Sequence, residues 1–373
     1  MRARRVAALA AAILVSSFAG RAHAHARSAT FGEVAATGRE LTWTLRVRVA
    51  DLVGADGGAG LARGATAADA VARAGAIEAR LARGLGVTSG GAPCAVAERA
   101  LDADATAAEP TIVARFRFAC AGEDLLLRYD LFFDVDALHS GYTKLVSSDG
   151  AATTHVFRAH ERSLALGAPR SVWSSARQYL VLGVEHIFTG YDHLAFLAAL
   201  LLAIGLARRS GASGAAVASE TRPALREALA IVTAFTAAHS LTLIVSTLRP
   251  GLLGTGWVEP AIALSIAYVG TENLVGRRPR RRWLVVFAFG LVHGLGFSSV
   301  LREIGLPARG LVLSLVAFNL GVELGQLAVV SVVLPLVLAA ARRRPLRFER
   351  WGLRGGSAVI AAAGVVWFVL RVR

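Results

Sequence analysis

The stretch Glu185-His-Ile-Phe-Thr-Gly-Tyr-Asp-His-Leu194 puts His186, Asp192 and His193 inside an apolar run, about 176–206, long enough to cross a bilayer. Ionisable side chains are costly in hydrocarbon. Where they occur they face a bundle interior or a polar cavity and mark function. Later apolar runs carry His239, Glu272, His293, Asn319 and Glu323. Imidazoles combined with carboxylates point to a divalent transition metal, with proton handling as the competing use.

His186 and His193 are seven residues apart, on one helical face but about 10 Å apart along a straight axis. Metal ligands approach to about 2–2.2 Å, so one ion cannot bridge that gap. Either the helix opens near Gly190, or the histidines serve successive sites. Broken helices are a recurrent transporter device, because the freed backbone groups can line the ion's cavity. Asp192 either ligates directly or orients a neighbouring imidazole.

Outward from this segment, apolar runs at about 226–248, 258–275, 283–301, 311–341 and 354–371 complete six expected spans. The net charge of +15 is concentrated between them. Arg208, Arg209, Arg222 and Arg226 form one cluster, Arg277, Arg278 and Arg280 to Arg282 a second, and Arg342 to Arg344 with Arg347, Arg350 and Arg354 a third. That is the positive-inside pattern, with all three clusters cytoplasmic, and no interleaving of aromatic and basic residues suggests nucleic-acid binding. Counted along the helices, His186, His239, Glu272, His293, Asn319 and Glu323 fall at similar depth near the midplane. Phe235-x3-His239-Ser-Leu and Phe289-x3-His293-Gly-Leu are each followed by a span bearing a carboxylate and an amide, a weak internal repeat. Gly321 and Gly325, like Gly290, Gly294 and Gly296, leave helix faces small for close packing.

The chain's 55% hydrophobic content and mean hydropathy of +0.53 are too high for an ordinary soluble protein, and the apolar residues lie mainly after about 175. Before them, Met1-Arg-Ala-Arg-Arg5, an apolar run from Val6 to Ala19 and Ala22-His-Ala24 read as a signal peptide (1–24), an uncleaved anchor being the alternative. Residues 25–170 then form an exported, mostly β domain. Leu41–Val49, Thr111–Cys120 and Leu125–Asp134 alternate as half-buried strands do, and Ala-rich 66–83 is an expected helix starting at Thr66 and Asp69. About seven strands in a sandwich is the expected arrangement. Cys94 and Cys120, the only cysteines, lie in this exported segment, where a single disulfide is the expected use. His25 would be the first residue after cleavage and could chelate a metal with its amino group; His139, His155 and His160 read as ordinary surface or structural histidines. No Ser-His-Asp arrangement, phosphate loop or dinucleotide fingerprint is present.

The segments His186-Ile-Phe-Thr-Gly-Tyr-Asp192-His193, Phe235-Thr-Ala-Ala-His239-Ser-Leu-Thr-Leu243, Glu272-Asn273, Phe289-Gly-Leu-Val-His293-Gly-Leu-Gly-Phe297 and Phe318-Asn-Leu-Gly-Val-Glu323-Leu-Gly-Gln326 resemble the HupE/UreJ family, in its longer form with an exported N-terminal domain. The resemblance implies a six-helix membrane domain (171–373) and metal permease activity, with nickel the associated ion. His186, Asp192 and His193 match the family's His-x5-Asp-His signature. Ile187 stands where shorter nickel-linked members have Pro.

The expected molecule is therefore a bacterial inner-membrane permease, not an enzyme. Its N-terminal domain and C-terminus are periplasmic, and its metal path comprises His186, Asp192, His193, His239, Glu272, His293, Asn319 and Glu323. The ligand set leaves nickel, cobalt, copper and zinc open. The lipid bilayer, the metal ion and a periplasmic metal donor are the expected partners. The alternatives are an intramembrane metalloenzyme, in which facing helices hold a fixed ion, and a metal-sensing or assembly protein.

Overall fold

In the computed structural model, residues 28–53, 60–107, 109–146, 152–166, 172–208, 216–218, 220–249, 256–276, 281–304 and 311–372 are described. The expected signal peptide and His25 lie outside them. The chain falls into two compact units, one built on the β-rich region up to Gln178 together with Leu301–Ser314, and one on the helical segments Tyr179–Val300 and Leu315–Arg373.

The β-rich unit contains strands β1 (Ala29–Thr37), β2 (Glu40–Arg48), β3 (Leu85–Ser89), β4 (Ala92–Pro93), β5 (Ala95–Ala103), β6 (Thr111–Ala119), β7 (Leu125–Tyr129), β8 (Ser140–Val146), β9 (Ala152–Phe157) and β10 (Ser163–Ala165). They form a six-stranded sheet in the order β5-β6-β2-β1-β8-β9 and a four-stranded sheet β10-β7-β3-β4. The β1–β8 pair is parallel, while the other pairs are antiparallel. Alternation along β2 buries Leu41, Trp43, Leu45 and Val47 completely. On the second sheet Leu85, Val87, Leu127 and Tyr129 enter the same core, so the two sheets make a sandwich.

Ten strands stand among the described residues of this unit where about seven are expected, because short pairing segments such as β4 and β10 carry too few residues to show alternation. Two local expectations also change. The strand expected over Leu125–Asp134 ends at Tyr129, because its partner β3 begins at the facing Leu85. Beyond it the chain turns through Phe132, at φ 63°, which accepts hydrogen bonds from the amides of Val135 and Asp136. The helix expected over 66–83 is broken at Ala72–Arg73 into α1 (Ala67–Val71) and α2 (Ala74–Gly84). Its start is as the sequence indicates, a reciprocal capping box between Thr66 and Asp69.

Cys94 and Cys120 form a disulfide between the residue before β5 and the end of β6. A buried polar chain crosses the same unit. Ser28 Oγ lies 2.7 Å from His139 Nδ1, His139 Nε2 lies 2.9 Å from the Tyr129 hydroxyl, and Tyr129 also contacts the Thr30 hydroxyl. Burial pushes the His139 imidazole down to about 3 and the Tyr129 phenol well above its usual range, so both are neutral at pH 7.

The helical unit comprises α3 (Val172–Thr189), α4 (Tyr191–Ile204), α5 (Thr221–Leu248), α6 (Val258–Val275), α7 (Arg282–Ile304), α8 (Leu311–Arg343) and α9 (Pro345–Val372), the last winding as a π-helix over Phe348–Gly355. Each expected apolar segment is helical. By length and composition α5, α8 and α9 can each cross a membrane, and α3 with α4 adds a fourth if the bent pair is one span. Between α4 and α5, where the sequence suggests only a connection, β11 (Leu206–Arg208) pairs antiparallel with β12 (Ala216–Ala218).

Small residues let the helix backbones touch. A Cβ at Gly321 would meet the Leu180 carbonyl oxygen, and one at Gly183 would meet that of Phe318, so α3 and α8 lock together. Phe196, Ile231, Phe235, Ile262 and Val286 then fill the core between α4, α5, α6 and α7.

Replacing both cysteines by serine should lower the stability of the β-rich unit by about 2–4 kcal/mol, read as a lower melting temperature in detergent. His139 carries a second expectation. Its folded value lies below the unfolded 6.5, so its contribution is fully present above pH 6.5 and is lost as the pH falls from there toward 3. Stability should therefore decline by about 1.4 kcal/mol per pH unit over that window. His139→Gln should flatten that decline in thermal melts run at successive pH values.

Candidate metal centre

The apolar segment that carries His186 and His193 breaks at Gly190. The bend between α3 and α4 is 67°, and Gly190 caps α4 with an extended ψ of 91°. A larger residue does not fit, since a Cβ there would lie 2.6 Å from His193 Nδ1 and 2.9 Å from the His186 carbonyl. The bend cancels the separation that a straight helix would impose, and the His186 and His193 rings stand 4.6 Å apart by centroid. His239, from the middle of α5, completes the group: one ring nitrogen from each of His186, His193 and His239 lies within 4.8 Å of the others. Ligands at 2.0–2.1 Å from one ion sit about 3–3.5 Å apart, so small rotations of the rings would close the group on a single ion.

Hydrogen bonds select the nitrogens on offer. Asn319 Nδ2 donates to the Leu315 carbonyl at 2.8 Å, which turns its Oδ1 toward His239 Nδ1 at 3.5 Å. The proton is thus held on Nδ1, and His239 Nε2, buried and without a hydrogen-bond partner, presents its lone pair. Both ring nitrogens of His193 are buried without a hydrogen-bond partner among the described residues. Such orphaned groups are costly in a protein interior, and an ion would satisfy them.

His293 extends the cluster. Its ring is 5.1 Å from that of His193. Ser265 Oγ donates to the Ile262 carbonyl at 2.7 Å and so accepts from His293 Nε2 at 3.1 Å, leaving the buried Nδ1 as the nitrogen with a lone pair. Aromatic rings wall this group. Phe297 stacks with Phe318 at 4.8 Å and lies 4.3 Å from His186, while Phe235 lies 5.2 Å from His293.

The carboxylates go elsewhere. Asp192 Oδ2 accepts from Arg371 Nη2 at 2.9 Å, and Arg371 Nη1 also donates to the Glu259 carbonyl at 3.3 Å. Glu272 sits in the last turn of α6, where the Arg282 side chain, like its own almost fully buried, approaches it at 3.4 Å. Neighbouring Asn273 ties four helices together, donating to the Ala199 carbonyl and to Ser357 and accepting from Arg282. The structure therefore does not bring Glu272 into the imidazole group, despite its similar expected depth. Glu323 is half-buried one turn beyond Asn319 and also lies outside the group of three histidines. The two halves of the apparent repeat thus use their carboxylates differently. Gln326, Thr236, Ser240 and Thr242 serve packing, with Thr236 donating to Gln326 across helices at 3.0 Å and the other two hydroxyls bonding to carbonyls of their own helix.

Sequence reasoning missed Arg371, Arg282 and Ser265. The signal for the arginines was available: a carboxylate within an apolar run needs a counter-charge. Ser265 offers no such signal.

Apolar helices long enough to cross a membrane, enclosing three clustered imidazoles, describe a membrane protein with a buried donor group of the kind that suits transition-metal ions. The profile of the family described as HupE / UreJ protein matches residues 162–371, and the chain belongs to that family. No curated protein matches the chain.

Gly190→Val should push His193 out of line while leaving the helices formed. The expected outcome is at least a tenfold loss of Ni2+ affinity (about 1.4 kcal/mol) in detergent, with an unchanged far-ultraviolet circular dichroism spectrum.

Proposed function

We propose that the protein is an inner-membrane permease for a divalent transition metal, rather than an enzyme, and that His186, His193 and His239 form its main site. The observation that carries this reading is the convergence of three imidazoles from a broken helix and its neighbour, with one ring nitrogen of each within 4.8 Å of the others. Family membership favours nickel or cobalt. Imidazole donors suit nickel, cobalt, copper and zinc and are poor ligands for calcium and magnesium, which take oxygen. His293 is the next station for an ion or the fourth donor. In this reading α3 with α4, α5, α6, α7, α8 and α9 make six spans, the arginine-rich connections face the cytoplasm, and a cleaved signal peptide exports the β-rich domain to meet a metal donor.

A transport site must release what it binds. Neutral donors help, because they replace the ion's hydration shell without adding the attraction of an opposite charge. The aromatic wall keeps competing water out.

The test is uptake of Ni2+, Co2+, Cu2+ and Zn2+ into sealed proteoliposomes by wild type and His193→Ala. Saturable flux of one ion, reduced at least about tenfold in the variant (1.4 kcal/mol or more) while its melting temperature is kept, is the expected result. Absence of flux with one metal per chain retained through purification would replace the permease with an intramembrane metalloenzyme.

A further inference from the structure

Arg371 lies in the last turn of α9, a long way in sequence from the site, yet it is the counter-ion of the signature carboxylate. Its guanidinium is 2.9 Å from Asp192 Oδ2 and 3.8 Å from the Glu259 carboxylate, and it also donates to the Glu259 carbonyl. The side chains of Arg371 and Asp192 are only 14% and 21% exposed, whereas Glu259 is 73% exposed. The arrangement runs from an exposed acid at the start of α6, through a cation, to an acid adjacent in sequence to His193.

We propose that Arg371 is a tethered cation that competes with the incoming metal ion for Asp192, and so acts as the gate and positioning residue of the site. This rests on the metal-site reading above. The argument is electrostatic. In a half-buried setting an Arg–carboxylate pair is stronger than at an open surface, and a divalent ion beside His193 is repelled by the guanidinium and attracted by Asp192. While the pair is closed, the two charges cancel and the imidazoles alone hold the ion. When the guanidinium swings toward Glu259, which is already within reach, Asp192 is exposed to the ion. Glu259 thus gives Arg371 a second resting place, so that opening leaves no buried charge unpaired. The same exchange discriminates by charge, because a monovalent ion gains less from Asp192 than Arg371 loses.

The experiment is titration of Ni2+ alone into the detergent-solubilised full chain, comparing wild type, His193→Ala, R371Q, R371K, D192N and the D192N/R371Q double variant. Wild-type binding lost in His193→Ala establishes the metal site; no binding by wild type would overturn that reading and this proposal together. With binding established, R371Q should bind Ni2+ about tenfold more tightly or better, and the gain should vanish in the double variant. D192N alone should bind more weakly than wild type, because it leaves Arg371 uncompensated beside the ion. R371K, a point charge that cannot grip both acids in the same geometry, should fall between wild type and R371Q, and it decides the matter if R371Q does not fold. A merely structural ion pair would give equal or weaker binding in R371Q and R371K, and that result would overturn the proposal while leaving the metal site standing.

Discussion

The helical unit depends on one interruption. A continuous first span would hold His186 and His193 about 10 Å apart along its axis, and no ion could touch both. The 67° bend at Gly190 removes that separation. Its cost is a helix end inside an apolar bundle, with amide groups at the start of α4 released from the helical ladder. The surroundings compensate in two ways. Asp192, in the first turn of α4, offsets the positive end of that helix. Before the break, α3 is clamped to α8 through Gly183 and Gly321, so the position of His186 is set by backbone contact rather than by side-chain choice.

The polar groups of the apolar segments sort by charge. Carboxylates in a poorly polar interior require a cation, and the two best placed have one each: Asp192 has Arg371 and Glu272 has Arg282. Imidazoles have no such requirement, because a neutral ring can be buried and needs only partners for its two nitrogens. Asn319 and Ser265 satisfy one nitrogen each on His239 and His293 and leave the other facing inward. The result is a cluster of imidazole donors with its paired acids held at the periphery, a different object from the mixed His/Asp/Glu path that composition suggests.

Much of this was legible in the sequence. Amphipathic alternation marked β2 and β6 to within a residue, because a half-buried sheet imposes a period of two on every side chain. Apolar length marked every helix of the bundle. Gly190 marked where the first apolar run could open, one of the two solutions that the spacing of its histidines allowed, the other being successive sites. What could not be read was lateral. Depth along a helix follows from counting residues, but which face meets which neighbour does not, so Glu272 and His239 were assigned to one layer although the first ends in a salt bridge and the second in the cluster. Arg282 counted as one loop charge among many, while its burial beside Glu272 depends on where α6 and α7 cross. The end of β7 at Tyr129 escaped for the same reason, because a strand stops where its partner stops.

The pairing of Asp192 with Arg371 has an electrical consequence. With Asp192 matched by Arg371, the cluster brings no net charge of its own to the ion. A divalent ion seated there carries both of its charges into the low-dielectric part of the bundle. Occupancy then becomes a function of the voltage across the membrane, at about 2.3 kcal/mol per elementary charge per 100 mV, scaled by the fraction of the field crossed and doubled by the ion's valence. A cytoplasm-negative potential would favour loading from outside and oppose return. In the proposed permease, the membrane's resting polarisation would then act on the bound ion as a driving force for its entry.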